Sequence, residues 1–464
     1  MRINIVKTAQ AVRDSYWFIP SLMAFFAIVL GATMVWIDSG PGDGWLDGVG
    51  WYQSVKAEGA HQVLSTIAGS MITVAGVVFS ITIVAISYAS SQYGPRVLTN
   101  FMSDVGNKVT LGTFIATFLY CLVVLRTIRG GDEGEFVPQM AVMVGLLLAL
   151  CSICVLIYFI HHVPQTIHVN NVIALIGRQL IRDVDKRFPG FIGDEPEDGP
   201  VATGVARAAA EDLFRYGGNS KVSPVESRDT GYIQAIDEVA LMEAAAKADL
   251  VLRLRYRPGD YLLAGRTLLE AWPAARVDPD IADSLRSAYS TGSRRTPFGD
   301  LGFLMNELVE IATRALSSGV NDPTTARTCL DWLGAGATEI ARRRLPDSHR
   351  LDEEGKLRVI APADDFRDYI QRAFGELRQY LGGDANAAVH ALRTLGEIAS
   401  ACATRDQLEA IAEEAKRLGQ SAGELLSGPE RARVHRRVDA LCALLSQSPE
   451  RIVEGQAEWL GGSA

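Results

Sequence analysis

Small and hydroxyl-bearing side chains recur at helical spacing between His61 and Gln92: Gln62, Ser65, Gly69, Thr73, Gly76, Ser80, Ser87 and Ser91. At about 100° per residue they fall within about 80° of one another, and Ile83 is the one large apolar residue in that sector. The other face is mostly Ile, Val, Leu, Met and Phe, and the stretch carries no charged residue. A polar stripe on an otherwise apolar helix meets either the backbone of another helix or water in a pore. In the first reading Gly69, Thr73, Gly76 and Ser80 let helices approach closely. In the second, Ser65, Gly69, Thr73, Gly76, Ser80, Ile83, Ser87 and Ser91 line a conduit, with Ile83 as a hydrophobic constriction. One chain with four spans does not readily enclose a water path, so the pore reading requires a homo-oligomer.

A second candidate is Asn321-Asp322, where a helix N-terminus beside Arg295, Arg314 and Arg327 could hold an anion. The structural alternative is a tight corner between two helices, with Asp322 as cap. Ser293-Arg-Arg-Thr296 could meet phosphate or lipid headgroups, or form a solvated loop. His161, His162 and His168 bunch after an apolar run, and Cys151-x-x-Cys154 falls within one; solvation and packing are the favoured readings. No Ser/His/Asp, Cys/His, paired-carboxylate, P-loop or zinc pattern has a supporting context. The expectation is therefore no enzyme, no metal and no cofactor.

The elements that carry these residues divide sharply. The chain has 464 residues, a formal charge of −9 and six cysteines. The acidic balance argues against nucleic acid as a partner, and none of the cysteines lies in an external loop, so no disulfide framework is expected. Apolar runs are confined to the first 162 residues. They predict spans at about 17–37, 62–92, 109–128 and 138–162 within a transmembrane domain, residues 1–168. The first follows Arg2, Lys7 and Arg13 without a clear cleavage site and reads as a retained anchor. Lys and Arg also follow the second and fourth spans, whereas the Gly- and Asp-rich loop from Asp38 to Ala60 carries only Lys56. Both termini are therefore expected in the cytoplasm. No Asp, Glu, Lys or His lies deep within any span, which counts against proton-coupled transport.

Residues 169–204 read as a helical prolongation of the fourth span followed by a Gly- and Pro-rich linker. Residues 205–278 then show alternating strands around Gly231, Pro258-Gly-Asp260 and Gly265, the turn pattern of a small barrel-sandwich. Residues 279–450 read as a helical domain, with Gly319 as a helix stop, Asp322 as a cap and Pro323 starting the next helix. Residues 451–464 read as a tail. The fold class is thus a four-helix membrane protein with a cytoplasmic α+β region: a small β barrel-sandwich-like module and a C-terminal α-bundle.

The stretch from Ala315 to Ala326, with its Asn-Asp-Pro motif, resembles a bacterial family of predicted membrane proteins known only as a domain of unknown function. Val78-Phe-Ser80, Ser90 to Arg96, Gly231-Tyr-Ile-Gln234 and Gly292 to Asp300 carry the same resemblance. It implies four spans, a cytoplasmic domain and a multi-pass place in a bacterial inner membrane. Two functional readings follow. One is a homo-oligomeric ion channel or pore in the lipid bilayer, lined by the second span, with a cytoplasmic domain that assembles or gates it. The other is a non-conducting scaffold or sensor that presents its cytoplasmic domain to a partner.

Overall fold

A computed structural model of the chain describes residues 15–39, 56–94, 104–130, 136–187, 214, 222–297, 299–345, 348–447 and 452. The interior of the Asp38 to Ala60 loop, the linker at 189–204 and the tail from 453 lie outside them. The chain divides into a unit of residues 5–172 and a second that begins at residue 173.

The first unit holds four helices, each long and apolar enough to cross a membrane: α1 (Phe18–Asp38), α2 (Ala57–Tyr93), α3 (Val105–Leu125) and α4 (Gln139–Ile167). The apolar runs place all four; α3 starts ahead of its apolar run, where the Asp104 side chain caps it, and ends short of Ile128, at Leu125. α2 is the longest: 37 residues, or ~55 Å at about 1.5 Å per residue, before Gly94 ends it at φ 101°.

α3 is the hub and packs against each of the others. Close approach comes from glycine: a Cβ at Gly145 would lie 2.9 Å from Leu64 Cδ2, and one at Gly112 would meet the Met23 sulfur. Where leucine is as comfortable in lipid as in protein, such close packing and shared hydrogen bonds are what hold helices together. Thr117 and Ser152 pair their buried hydroxyls at 3.1 Å, and the Tyr120 hydroxyl donates to the Ala141 carbonyl at 2.8 Å. Asp38, at the last turn of α1, accepts from the Met140 and Ala141 N–H groups at 3.3 and 2.9 Å. It thereby caps the first turn of α4.

His168 alone separates α4 from α5 (Val169–Arg187). α5 is not a continuation of the fourth span: the backbone breaks at His168, where ψ reaches 124°. From Ile173 onward it belongs to the second unit, where Ile173, Ile176, Leu180 and Val184 are fully buried. They face α9 (Pro323–Ala341): Gly177 lies under Trp332, and Leu180 lies over Gly336.

The rest of the second unit mixes sheet and helix. β1 (Ser223–Glu226), β3 (Val251–Leu254) and β5 (Thr267–Trp272) join β7 (His349–Leu351) and β8 (Leu357–Ile360) in a five-stranded sheet of order β1-β5-β3-β8-β7. Only β3 and β8 run parallel. A smaller antiparallel sheet has the order β4-β2-β6, built from β2 (Gly231–Ile236), β4 (Tyr261–Leu262) and β6 (Tyr289–Gly292). The larger sheet buries Leu252, Leu254, Leu269 and Val359 against Leu241 of α6 (Glu238–Lys247) and Leu285 of α7 (Pro279–Ser287). The α-helical reading from Ile281 onward therefore needs correction at β6, β7 and β8. Each is short, and the β7–β8 hairpin earns its strand geometry only by docking on β3, about a hundred positions upstream.

α8 (Leu301–Ala315) and α9 form a helical layer with α12 (Ala385–Ala399), α13 (Arg405–Leu425) and α14 (Gly428–Leu445). Between α9 and α12 the chain forms α10 (Phe366–Ile370), a π-helical turn at Gln371–Gly375 and α11 (Arg378–Leu381). A π turn shifts the side-chain register, and here it carries Arg372 to the edge of Gly302 at the start of α8.

Candidate functional site

The stripe on α2 becomes a face. Leu64, Ala68, Met71, Ala75, Val78 and Ala85 are buried against the other helices. Ser65, Gly69, Thr73, Gly76, Ser80, Ile83, Ser87 and Ser91 are all exposed on the opposite side, about 150° away on a wheel of 100° per residue. A Cβ at Gly69 or Gly76 would meet nothing within 4 Å. Among the described residues of the chain, then, no helix closes on the stripe, and its glycines are not the small-xxx-small contacts of this unit; Gly112 and Gly145 are. The hydroxyls turn back on their own helix: Thr73 donates to the Gly69 carbonyl at 2.8 Å, Ser80 to Gly76 at 2.9 Å and Ser91 to Tyr88 at 2.8 Å. The Thr73 and Ser80 oxygens keep lone pairs that can accept. Ile83, 48% exposed, interrupts the polar row with a bulky apolar side chain.

Arg295, Asn321 and Asp322 are not one site. Arg295 stands just before α8 and Asn321-Asp322 just beyond its end, so the 15-residue helix, about 22 Å long, separates them. Arg295 holds Asp300 with Nη2 at 2.6 Å and Nε at 3.0 Å, while the other carboxylate oxygen caps Phe303 N–H at 3.1 Å. With the Asn306 amide turned to donate to the Gly302 carbonyl, its oxygen accepts from Arg295 Nη1 at 3.2 Å. Arg295 therefore clamps the start of α8.

Two stretches with the family resemblance meet beside it. Gln234 is the extra residue of a β-bulge facing β6, and such bulges re-aim side chains. Its amide lies over Gly292 and donates to the Arg294 carbonyl at 2.7 Å. Nearby, Asp364 joins Arg257 and Arg372; burial pushes its carboxyl above the usual carboxylate range despite both cations.

At the far end of α8, Asn321 takes a left-handed conformation, φ 47°, and its N–H bonds the Ser317 carbonyl at 2.9 Å. The left-handed residue of the corner is thus Asn321, a type that tolerates this region, rather than Gly319. Asp322 caps α9, accepting from Thr324 and Thr325 N–H at 3.2 and 3.1 Å and from the Thr325 hydroxyl at 2.6 Å. That hydroxyl is the main reason its carboxyl lies below the ordinary value.

The histidines separate too. His162 Nε2 lies 3.0 Å from the Asp104 carboxylate, which also caps α3 through Asn107 N–H at 2.8 Å, and His162 stacks on Tyr158. His161 meets Gln165, and His168 ends α4. Among the described residues no group of three His, Cys, Asp or Glu side chains is placed to hold a metal. Cys151 and Cys154 are both free and exposed. Sequence reasoning missed Asp38 and Asp104 as caps; Asp104 three residues before Asn107 was a legible signal, whereas Asp38 acts on backbone a hundred positions away.

The fold and these sites define a four-span membrane protein with a mixed α/β second unit. The chain belongs to the family described as predicted membrane protein DUF2254, which it matches over residues 13–397. Among curated proteins it is similar to uncharacterized proteins of Mycobacterium bovis and Mycobacterium tuberculosis, each 32% identical over 349 residues. That match covers 74% of this chain and 64% of each relative. No solved structure matches the chain.

Proposed function

We propose that the protein is a homo-oligomeric pore of a bacterial inner membrane, with both termini in the cytoplasm and the outward face of α2 lining the conduit. The observation that carries this reading is the orientation of the stripe. Its hydroxyls and glycines lie opposite the buried face of α2, uncovered by the described residues of their own chain. Facing lipid they gain nothing from polarity; between neighbouring copies they offer acceptors to water and ions. Ile83 is the constriction. The second unit assembles or gates the pore, and the chain enters it along α5, which His168 alone separates from α4.

The test is conductance of the full chain in planar bilayers. Ile83→Ser raises basal current and Ile83→Trp suppresses it. Absence of current from wild type and from both variants overturns the reading.

The second reading, a non-enzymatic scaffold or sensor, draws on the back-bonded hydroxyls of Thr73 and Ser80. Satisfied on their own helix, they are tolerated at a dry contact. A co-purifying protein lost on removal of residues 280–450, with no current, selects this reading.

A further inference from the structure

The inner face of the four-helix unit ends in a polar group that its packing does not satisfy. Asn107 is 1% exposed, and neither its amide oxygen nor its amide nitrogen meets a hydrogen-bond partner. It lies one turn before Leu111 and two before Phe114, on the face of α3 that buries Val78 and Ala85 of α2 and Phe159 of α4. The Tyr16 hydroxyl, also buried, meets the Thr82 side chain and is within electrostatic reach of Asp104. Thr82, 1% exposed, has its proton committed to the Val78 carbonyl at 2.8 Å and keeps an acceptor lone pair. Lys108, 2% exposed, is the next residue of α3.

We propose that this end of the unit is a binding pocket for water or another small neutral protic ligand, with the Asn107 amide as its floor. A buried amide stripped of partners is strongly disfavoured, and more so at membrane depth, where backbone and lipid supply none. The amide offers an acceptor and two donors, and the tyrosyl oxygen, whose proton faces Thr82, a further acceptor. A bound water needs two to four such partners. The charged groups nearby, Asp104 and Lys108, are of opposite sign, so the pocket selects neither cation nor anion. It is on the face of α2 opposite the stripe, and its test is independent of the pore reading.

Two measurements on the full chain in lipid nanodiscs decide it. In a background with Cys151, Cys154 and Cys442 changed to Ala, Asn107→Cys reacts with a small membrane-impermeant thiosulfonate faster than the background itself, though more slowly than the exposed control Ser293→Cys. Reaction no faster than in the background without the new cysteine overturns the proposal. Asn107→Leu provides a readout that does not depend on labelling. If the amide is solvated, leucine removes its hydrogen bonds and the unfolding midpoint falls by about 2–5 °C. If the site is dry, leucine replaces an orphaned amide, and an unchanged or raised midpoint overturns the proposal.

Discussion

Two pairs of glycines in the first unit look alike in sequence and do opposite work. At Gly112 and Gly145 another helix presses against the missing side chain; at Gly69 and Gly76 there is open space. The alanines of α2 sharpen the contrast, because Ala68, Ala75 and Ala85 are buried while the glycines, serines and threonine of the stripe are exposed. Smallness marks close approach only where something approaches. Where it comes with hydroxyls and no described residue covers it, the proposed pore is what gives it something to meet.

The contrast breaks most visibly by filling both kinds of gap. Gly145→Leu drives a side chain into Leu64 and lowers stability by about 3 kcal/mol, the upper end of overpacking costs. Gly76→Leu, meeting nothing, stays within about 0.5 kcal/mol of wild type but reduces the size of the assembled particle. Unfolding in mixed micelles and light scattering of the purified chain check the two halves. Equal destabilisation by both substitutions would remove the distinction.

Next in size is the interhelical cap. Asp38→Ala leaves two N–H groups of α4 without their acceptor and costs about 2 kcal/mol, with Asp38→Asn intermediate because an amide oxygen still accepts. The same unfolding assay reads it, and a loss no larger than that of a surface substitution would show the cap to be idle.

The smallest effect tests the corner in the second unit. Because the folded value of Asp322 is lowered, its stabilisation is complete above the ordinary carboxylate range, about pH 4. It is lost as pH falls through the folded value. Asp322→Ala costs about 1 kcal/mol at pH 7, and the difference from wild type shrinks as pH is lowered toward 3. A pH-independent difference would mean that the capping carboxylate is not its source.

Much of this architecture was legible because it is local. Apolar length placed the four spans, and Asp322-Pro323 placed the start of α9. What stayed hidden depends on partners distant in sequence. β7 and β8 become strands only beside β3, Asp38 finds its N–H groups in α4, and Arg295 is claimed by Asp300 and Asn306 rather than by Asn321. The stripe on α2 was readable as a period, but its direction was not. A helical wheel fixes which residues share a face and leaves open which neighbour, if any, that face meets.

The central claim concerns what covers that face in the membrane, and cysteine scanning along α2 asks it directly. In assembled particles in lipid, single cysteines at 69, 73, 76, 80, 83 and 87, in a background lacking exposed native thiols, are treated with a water-soluble thiol reagent. The account predicts reaction along this row and none at Ile72, Val77, Phe79 or Val84, which are exposed on the flanking arcs of the helix. A row as inert as its flanks would contradict it.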